Sequence, residues 1–567
     1  MAKKILIVGG VATGPKTAAR CRRLDPEAEI TVVERQDLIS YAGCGLPFYI
    51  EDVIEDFDEL LGGATIRDTA YFKKHKGFTV LDMTEAKKIN RNKKTVTVED
   101  LRTGEARELP YDKLVLATGA SPFVPRIEGV KLGGVHRLYN PYQAKAIKDA
   151  VDAGARNVAI VGGGLIGLET CGAFVARGCK VTIMEMMDRL VPNLLDPEMA
   201  MLLEDYLKSK GVMALNGSPV SRIIGEAGKA RAVETADGRR VEADLVIVAI
   251  GVRPNVELAK EAGLEIGTTG AVAVDEYLRT SDQDIYAGGD CVENTHTLTG
   301  EKVYAPMGST ANKHGRVIAD NINGMETKFP GVAGTAVFKV LDWHIGVTGI
   351  TEGKARQLGY DVVTTLCPRH DYSSYIPGAK YTVIKLVADR KTCRLLGCQV
   401  AGEGDGVKRI DVAATAIKFG SNLKGVADID LGYAPAYSTA IDALAHAANV
   451  LRNKVQGNAH GVSPLELREM LDRGEDFVLL DVRARDEYGA QTFSDPRTVN
   501  IPVEELRERH GELPRDKSIV TFCIIGVRAY IAERVLRGLG FEDVVFLDGC
   551  LRAWPFPEYL TQPVSLS

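Results

Sequence analysis

The sequence has no Cys-x-x-Cys pair among its ten cysteines, which stand at 21, 44, 171, 179, 291, 367, 393, 398, 523 and 550 of 567 residues. Cysteines so sparse build no disulfide framework, and the missing pair argues against zinc, so no metal and reduced thiols in a cytoplasmic protein are expected. Long apolar runs are missing too. The longest, Leu245–Ile250, is far below the roughly 20 residues of a membrane span. The opening Met-Ala-Lys-Lys imitates a signal peptide, but the apolar stretch Ile5–Val8 stops at Gly9-Gly10, too short for an h-region. Nor is there a basic excess: Lys plus Arg is 70 against Asp plus Glu 76, a formal net charge of −6. That balance argues against a nucleic-acid or anionic-membrane partner, so any bound anion needs a local pocket.

What is present is ordinary globular composition, 45% hydrophobic and 26% charged, over a length that suggests about three or four domains. Glycine is abundant at 58 residues, with runs such as Gly162-Gly163-Gly164 that fit tight turns pressed against phosphates. Two segments read as strand, glycine turn, helix, strand. The first runs Lys3–Val8, Gly9-Gly10-Val11-Ala12-Thr13-Gly14, a helix through Thr17–Leu24, and Ile30–Val33 ending at Glu34. The second runs Asn157–Val161, Gly162-Gly163-Gly164-Leu165-Ile166-Gly167, a helix to Arg177, and Lys180–Met184 ending at Glu185. An acid about twenty residues past the last glycine accepts ribose hydroxyls, so the chain predicts two dinucleotide sites in an α/β fold. In the second, Glu185 would repel a 2′-phosphate and Met186 and Met187 offer no cation, which favours NADH, although Arg189 keeps NADPH open.

From about Gly331 the pattern turns to strands (Thr335–Val340, Tyr381–Val387, Leu395–Val400) and helices (Ala413–Phe419, Thr439–Val450) without a glycine fingerprint. Asn453–Val462 is polar and rich in small residues and reads as a linker. A fresh α/β unit follows: helix Pro464–Asp472, strands Phe477–Leu480 and Ser518–Thr521, helix Val527–Leu539 and strand Asp543–Phe546.

Leu114–Ala120, a strand entering the small-residue turn Ala117-Thr118-Gly119, and Thr280–Asp290, a strand ending in Gly289-Asp290, accompany the first glycine turn. With Leu245–Asn255 after the second turn, these ordered motifs resemble the flavoprotein disulfide reductases over residues 3–450. The resemblance implies FAD in the first fold, held by Gly9, Gly10, Val11, Ala12, Gly14, Glu34, Arg35, Ala117, Thr118, Gly119, Asp290 and Ala311, with Asp290 on the ribityl chain. It implies NAD at Gly162, Gly164, Ile166, Gly167, Glu185 and Gly251. The implied domains are FAD-binding at 1–113 with 252–325, NAD(P)H-binding at 114–251, α+β dimerisation at 326–452 in a homodimer, and a linker at 453–462.

Members with a redox pair carry Cys-x4-Cys, but around Cys44 the candidate positions hold Ile39 and Tyr49. The run Gly43-Cys44-Gly45-Leu46-Pro47 resembles the single-cysteine branch, which includes coenzyme A disulfide reductases, NADH peroxidases and NADH oxidases. A lone cysteine holds no internal disulfide, so its oxidised form is a mixed disulfide, a persulfide or a sulfenic acid. The implied electron path is NADH to FAD to the Cys44 sulfur. Ala-Ala-Arg-Cys-Arg-Arg-Leu on the first helix looks like the segment that helps hold coenzyme A phosphates, which assigns that role to Arg20 and Arg23, with Lys73, Lys74 and Lys76 as weaker candidates. No histidine stands at 11–24, where peroxidases of this branch place one. Tyr375 and Tyr433 lie in segments resembling those whose hydroxyls reach the partner copy's cysteine.

The tail's Asp481-Val482-Arg483, Asn500-Ile501-Pro502 and Cys523-Ile524-Ile525-Gly526-Val527-Arg528 resemble a rhodanese domain, spanning 463–567. Cys523 ends an apolar strand and opens a loop feeding a helix N-terminus, where amides stabilise a thiolate or persulfide. Ile524 and Ile525 put apolar atoms where thiosulfate-using enzymes have cations. Arg528 is expected to pair with Asp481 or Glu487, and Cys550 stands at a glycine position and could resolve a Cys523 persulfide. The whole chain resembles coenzyme A disulfide reductase–rhodanese fusions, the group that includes NADH-dependent persulfide and polysulfide reductases. This implies a small-molecule sulfur substrate reduced at Cys44, with Cys523 handling sulfane sulfur. A plain coenzyme A disulfide reductase with an auxiliary rhodanese, an NADH oxidase, and a sulfur carrier with a redox-sensing flavin module stand as alternatives.

Overall fold

The computed structural model describes residues 2–561. It forms two compact units, Met1–Met186 with Ser218–Val332, and Met187–Gly217 with Ala333–Ser567. Among the described residues no helix is long and apolar enough to cross a membrane.

The first unit is built on two parallel sheets. In one, the order is Ile285–Ala287, Lys113–Leu116, Lys4–Val8, Glu29–Val33, Thr79–Leu81. The run Ile5-Leu6-Ile7-Val8 is buried throughout because both faces are covered. Side chains alternate: Ile5 and Ile7 pack with Ala18, Cys21 and Ile318, whereas Leu6 and Val8 pack with Val96, Val98 and Leu114. Two helices, Thr13–Leu24 and Gly308–Ile322, meet closely on the first face, where a Cβ on Gly315 would lie 2.8 Å from the Thr13 carbonyl. The second parallel sheet repeats the plan with Lys180–Met184, Asn157–Val161, Leu245–Val248 and Val135–His136. The domain boundary expected at 113/114 cuts the strand Lys113–Leu116, which pairs with Lys4–Val8 in the first sheet. That pairing comes from a partner a hundred residues away, so local sequence does not mark it. An antiparallel ribbon, Ala120–Pro122 with Val252–Pro254, joins the segments leaving and re-entering the first fold.

The second unit holds an antiparallel sheet, Ala336–Val340, Trp343–Gly349, Leu395–Gly402, Tyr381–Asp389, Val362–His370, with helices Val407–Lys418 and Ala443–Val455. Its tail is a parallel sheet in the order Gly461–Val462, Val544–Leu547, Ser518–Phe522, Phe477–Asp481, Thr498–Asn500. The segment 453–462, expected as a linker, is structured instead. The helix runs to Val455, Lys454 donates to the Thr364 carbonyl at 2.9 Å and pairs with Asp548, Ala459 sits in the tail's core, and Gly461–Val462 is an edge strand. Its polar groups find tertiary partners that composition does not reveal.

Lys385, 1% exposed, is enclosed by Glu198 at 2.6 Å, Glu352 at 2.8 Å and Asp196 at 3.2 Å. The three carboxylates hold its pKa above the ordinary lysine value against burial, which pulls it down. Removing one partner of such a buried set leaves uncompensated charge, at a cost of about 3–5 kcal/mol. Lys385→Met should therefore lower the denaturant midpoint of this unit by that equivalent, measured by chemical unfolding followed with circular dichroism.

Candidate active site

The two glycine turns are built alike. Gly9 donates its N–H to the Val33 carbonyl and Gly162 to that of Met184, both at 2.8 Å. Glu34 and Glu185 each accept the next amide, from Gly10 and Gly163, both at 2.7 Å; burial raises the Glu34 pKa. Contact enforces the glycines. A Cβ on Gly9 (φ +114°) would lie 2.0 Å from the Ala117 oxygen, and one on Gly162 (φ +107°) 2.5 Å from that of Ala249. At Gly14 and Gly167 it would lie 1.9 and 2.2 Å from the oxygens of Gly9 and Gly162. Gly164 faces no protein atom within 4 Å, which leaves the approach to its turn open. Val11, at the position of a middle glycine, packs on Leu38, Tyr41 and Leu61. The helices opened by these turns carry no acid in the first turn and no side-chain cap, so their amides and positive dipole ends fit pyrophosphates.

Around the first turn, the Thr13 hydroxyl donates to Ala311 O at 3.0 Å, and Gly289 N–H to His314 Nδ1 at 3.0 Å. The Tyr304 hydroxyl donates to Asp290 O at 2.9 Å. Thr118 and Asn255 exchange two hydrogen bonds of 2.7 Å. These contacts gather Ala12, Gly119, Asp290 and Ala311 at one end of the sheet. Burial lifts the Asp290 carboxyl to about 6. Arg35, Ile166 and Gly251 lie exposed beside the two turns, Gly251 with φ +98°.

Cys44 sits in a single 3-10 turn, Gly43–Gly45, that runs into the short helix Leu46–Ile50. Its Sγ lies 3.9 Å from the position a Gly308 Cβ would take, so the sulfur faces the uncapped start of the helix Gly308–Ile322. That positive end favours a thiolate. Partial burial, then the carboxylates of Glu169 and Asp290, work the other way and raise the thiol pKa. Burial also holds Glu169 at about 7.

On the first helix, Arg20 is taken up by an ion pair with buried Asp320. Arg22 donates to the carbonyls of Gly77 at 2.7 Å and Ala28 at 2.6 Å, tying the exposed Lys73–Lys76 segment to the helix. Arg23 is exposed. In the second unit Tyr375 and Tyr433 are 72% and 52% exposed, and the neighbouring Tyr375 hydroxyl raises the Tyr433 pKa. Arg189, there too, is paired with Asp188 at 3.0 Å.

In the tail, Cys523 follows Ser518–Phe522 and precedes the helix Val527–Gly538, with Gly526 (φ +99°) at the turn. The Cys523 sulfur accepts the Gly526 N–H at 3.2 Å. The Cys550 thiol hydrogen-bonded to it pulls its pKa down to about 6 against burial, and amides of Ala529, Gly526 and Ile525 add to the lowering. Arg528 forms a bidentate pair with Glu487 at 2.6 and 2.8 Å, while Asp481 is held by Arg483.

Family models match in the same order. Pyridine nucleotide-disulphide oxidoreductase covers residues 3–314, its dimerisation domain 335–445, and a rhodanese-like domain 463–555. The chain belongs to the pyridine nucleotide-disulphide oxidoreductase family. It is 38% identical over 453 residues, 80% of this chain and 99% of the relative, to the NAD(P)H coenzyme A polysulfide/persulfide reductase of Pyrococcus horikoshii. The solved NAD-dependent persulfide reductase of A. fulgidus superposes with TM-score 0.93 at 44% identity, covering 97% of this chain and 100% of that one. The reduced CoADR-RHD of Bacillus anthracis gives 0.92 at 35% identity over 99% of each chain.

This oxidoreductase therefore has the architecture read from its motifs: two dinucleotide-binding folds of a FAD- and NAD(P)H-dependent family, a dimerisation domain and a rhodanese tail. Sequence reading missed Glu169. It lies two residues past Gly167, on a helix apolar enough to look purely structural, and only the fold turns it toward Cys44. It is neutral below pH 7 and charged above, so its charge opposes the Cys44 thiolate in the alkaline range. In the FAD-loaded protein, Glu169→Gln should lower the Cys44 pKa and speed its alkylation at pH 8 by about two- to threefold. Iodoacetamide labelling of Cys44 as a function of pH, read by peptide mass, measures this.

Proposed function

We propose that this protein is an NADH-dependent reductase of persulfides and polysulfides, coenzyme A persulfide included, acting through Cys44. The observation that carries the reading is the pairing, on one chain, of an exposed free cysteine at the first dinucleotide fold with a rhodanese-domain cysteine whose sulfur accepts a loop amide and whose pKa is drawn down to about 6. The names of the Pyrococcus and A. fulgidus relatives support it. NADH is the proposed donor because Glu185 occupies the ribose position and Arg189 is already paired.

Cys44 thiolate attacks the outer sulfur of R–S–SH, forming Cys44–S–SH and releasing the thiolate RS⁻. Two electrons then split the new S–S bond, returning Cys44 thiolate and HS⁻. FAD, when bound, relays that electron pair from NADH. The start of the helix Gly308–Ile322 stabilises the thiolate each time it forms, and Glu169, near pKa 7, holds or yields a proton beside the sulfur. Arg23, with Lys73, Lys74 and Lys76, is the proposed contact for coenzyme A phosphates, since Arg20 is neutralised by Asp320. In the proposed cytoplasmic homodimer, the Tyr375–Tyr433 pair donates to the second copy's Cys44. Cys523 delivers or accepts sulfane sulfur.

The test is anaerobic NADH oxidation with inorganic polysulfide, coenzyme A persulfide and coenzyme A disulfide, with sulfide quantified. Turnover and sulfide release with the sulfane-sulfur substrates, both lost in Cys44→Ser, are expected. Fast turnover with the plain disulfide alone, untouched by Cys523→Ser, would instead make the protein a disulfide reductase like the one the Bacillus anthracis structure's name implies. Removing one charge-assisted phosphate contact costs about tenfold. Arg23→Ala should thus raise KM for coenzyme A persulfide by about that factor and leave inorganic polysulfide kinetics unchanged.

A further inference from the structure

Cys550 is a second sulfur beside the Cys523 loop, set in the tail's hydrophobic core. It is fully buried, and Cys523 is itself 1% exposed. Its Sγ accepts the Cys523 N–H at 3.3 Å and donates to the Leu547 carbonyl at 3.1 Å. The two backbones run side by side: Leu551 N–H donates to the Cys523 carbonyl at 3.2 Å and Arg552 N–H to that of Ile524 at 3.0 Å. Cys550 also adopts φ +48°, directly after Gly549 at φ +70°. Glycine takes that left-handed conformation freely and an L side chain seldom does. A cysteine in that conformation, with its sulfur on the Cys523 backbone amide, holds local strain beside the Cys523 loop.

We propose that Cys550 is a resolving thiol that closes a disulfide with Cys523 and expels its sulfane sulfur as sulfide. The inference rests on the reading of Cys523 as a sulfur carrier. Cys523 thiolate first takes the outer sulfur of R–S–SH, giving Cys523–S–SH and RS⁻. The Cys550 sulfur then attacks Cys523 Sγ. The Cys523–Cys550 bond forms, the Cys523–SH sulfur bond breaks, and the departing sulfur takes the electron pair and the Cys550 proton as H₂S. The sulfane sulfur is thereby reduced by two electrons and the two cysteine sulfurs are oxidised together. Two equivalents of a low-molecular-weight thiol reopen the bridge, leaving their own disulfide. This gives the tail a route to sulfide that needs no NADH and switches itself off until a thiol resets it.

The test uses the full-length, FAD-loaded chain carrying Cys44→Ser, so that the first cysteine takes no sulfur, under anaerobic conditions without NADH. It is treated with cysteine persulfide, quenched in acid and mapped by peptide mass with sulfide measured. The expected result is a bridged Cys523–Cys550 peptide and about one sulfide per chain. With Cys550→Gly, which suits the left-handed backbone, and with Cys550→Ser, Cys523 should keep the mass of one added sulfur atom and release no sulfide. Added sulfur on Cys523 with no bridge while Cys550 is intact overturns the resolving role and leaves the carrier reading standing. No added sulfur on Cys523 in any of these proteins, and no bridge, overturns the carrier reading and this inference with it.

Discussion

Both dinucleotide folds depend on one close approach: the backbone oxygen that follows a neighbouring strand lies where the first glycine of the turn would carry a side chain. At Gly9 that oxygen belongs to Ala117, and at Gly162 to Ala249. The approach lets the strand end, turn sharply and start a helix within a few residues. The same turn frees the amide of the following glycine to bind the acid at the end of the second strand, Glu34 or Glu185. The helix Gly308–Ile322 crosses the first helix only because Gly315 lets it, and through that crossing its amino end reaches the Cys44 sulfur.

The two candidate cysteines are tuned in opposite directions. Cys44 is exposed, and burial of its flank together with Glu169 and Asp290 raises its pKa, leaving the helix start to stabilise the thiolate. Cys523 is buried, yet a second thiol and three amides bring it to about 6. Burial alone would push both upward, as it does for Cys21 and Cys171, each lifted to about 12 in the core. The difference is the supply of donors. A loop that sets a second thiol and several amides around a sulfur overrides desolvation, whereas a surface turn beside carboxylates does not. At neutral pH one sulfur thereby favours the thiolate and the other the thiol.

Much of this was legible in the residues. The glycine spacing with Glu34 and Glu185 marked two nucleotide folds, because the contacts involved span one turn and leave no alternative residue type. Cys523 followed by Gly526 and Arg528 marked the rhodanese-type loop for the same reason, and Arg528 does pair with Glu487 as its charge suggested. What failed were inferences about segments whose partners are remote. Lys113–Leu116 belongs to the first sheet through a strand far away in sequence. Residues 453–462 are ordered by Thr364, Asp548 and the strand Val544–Leu547. Arg20, which the resemblance assigned to coenzyme A phosphates, pairs with Asp320 three hundred residues on.

The sequence by itself determined the number of nucleotide folds, the identity of the candidate cysteines and the order of the domains, since each is written in short-range spacing that backbone geometry enforces. Only the tertiary structure decided which charges are spent, which carboxylate faces Cys44, and that Cys550 lies against Cys523. Those depend on distances between residues remote in the chain. Desolvation and hydrogen bonding act over a few ångströms, so they are fixed only once packing has chosen the neighbours.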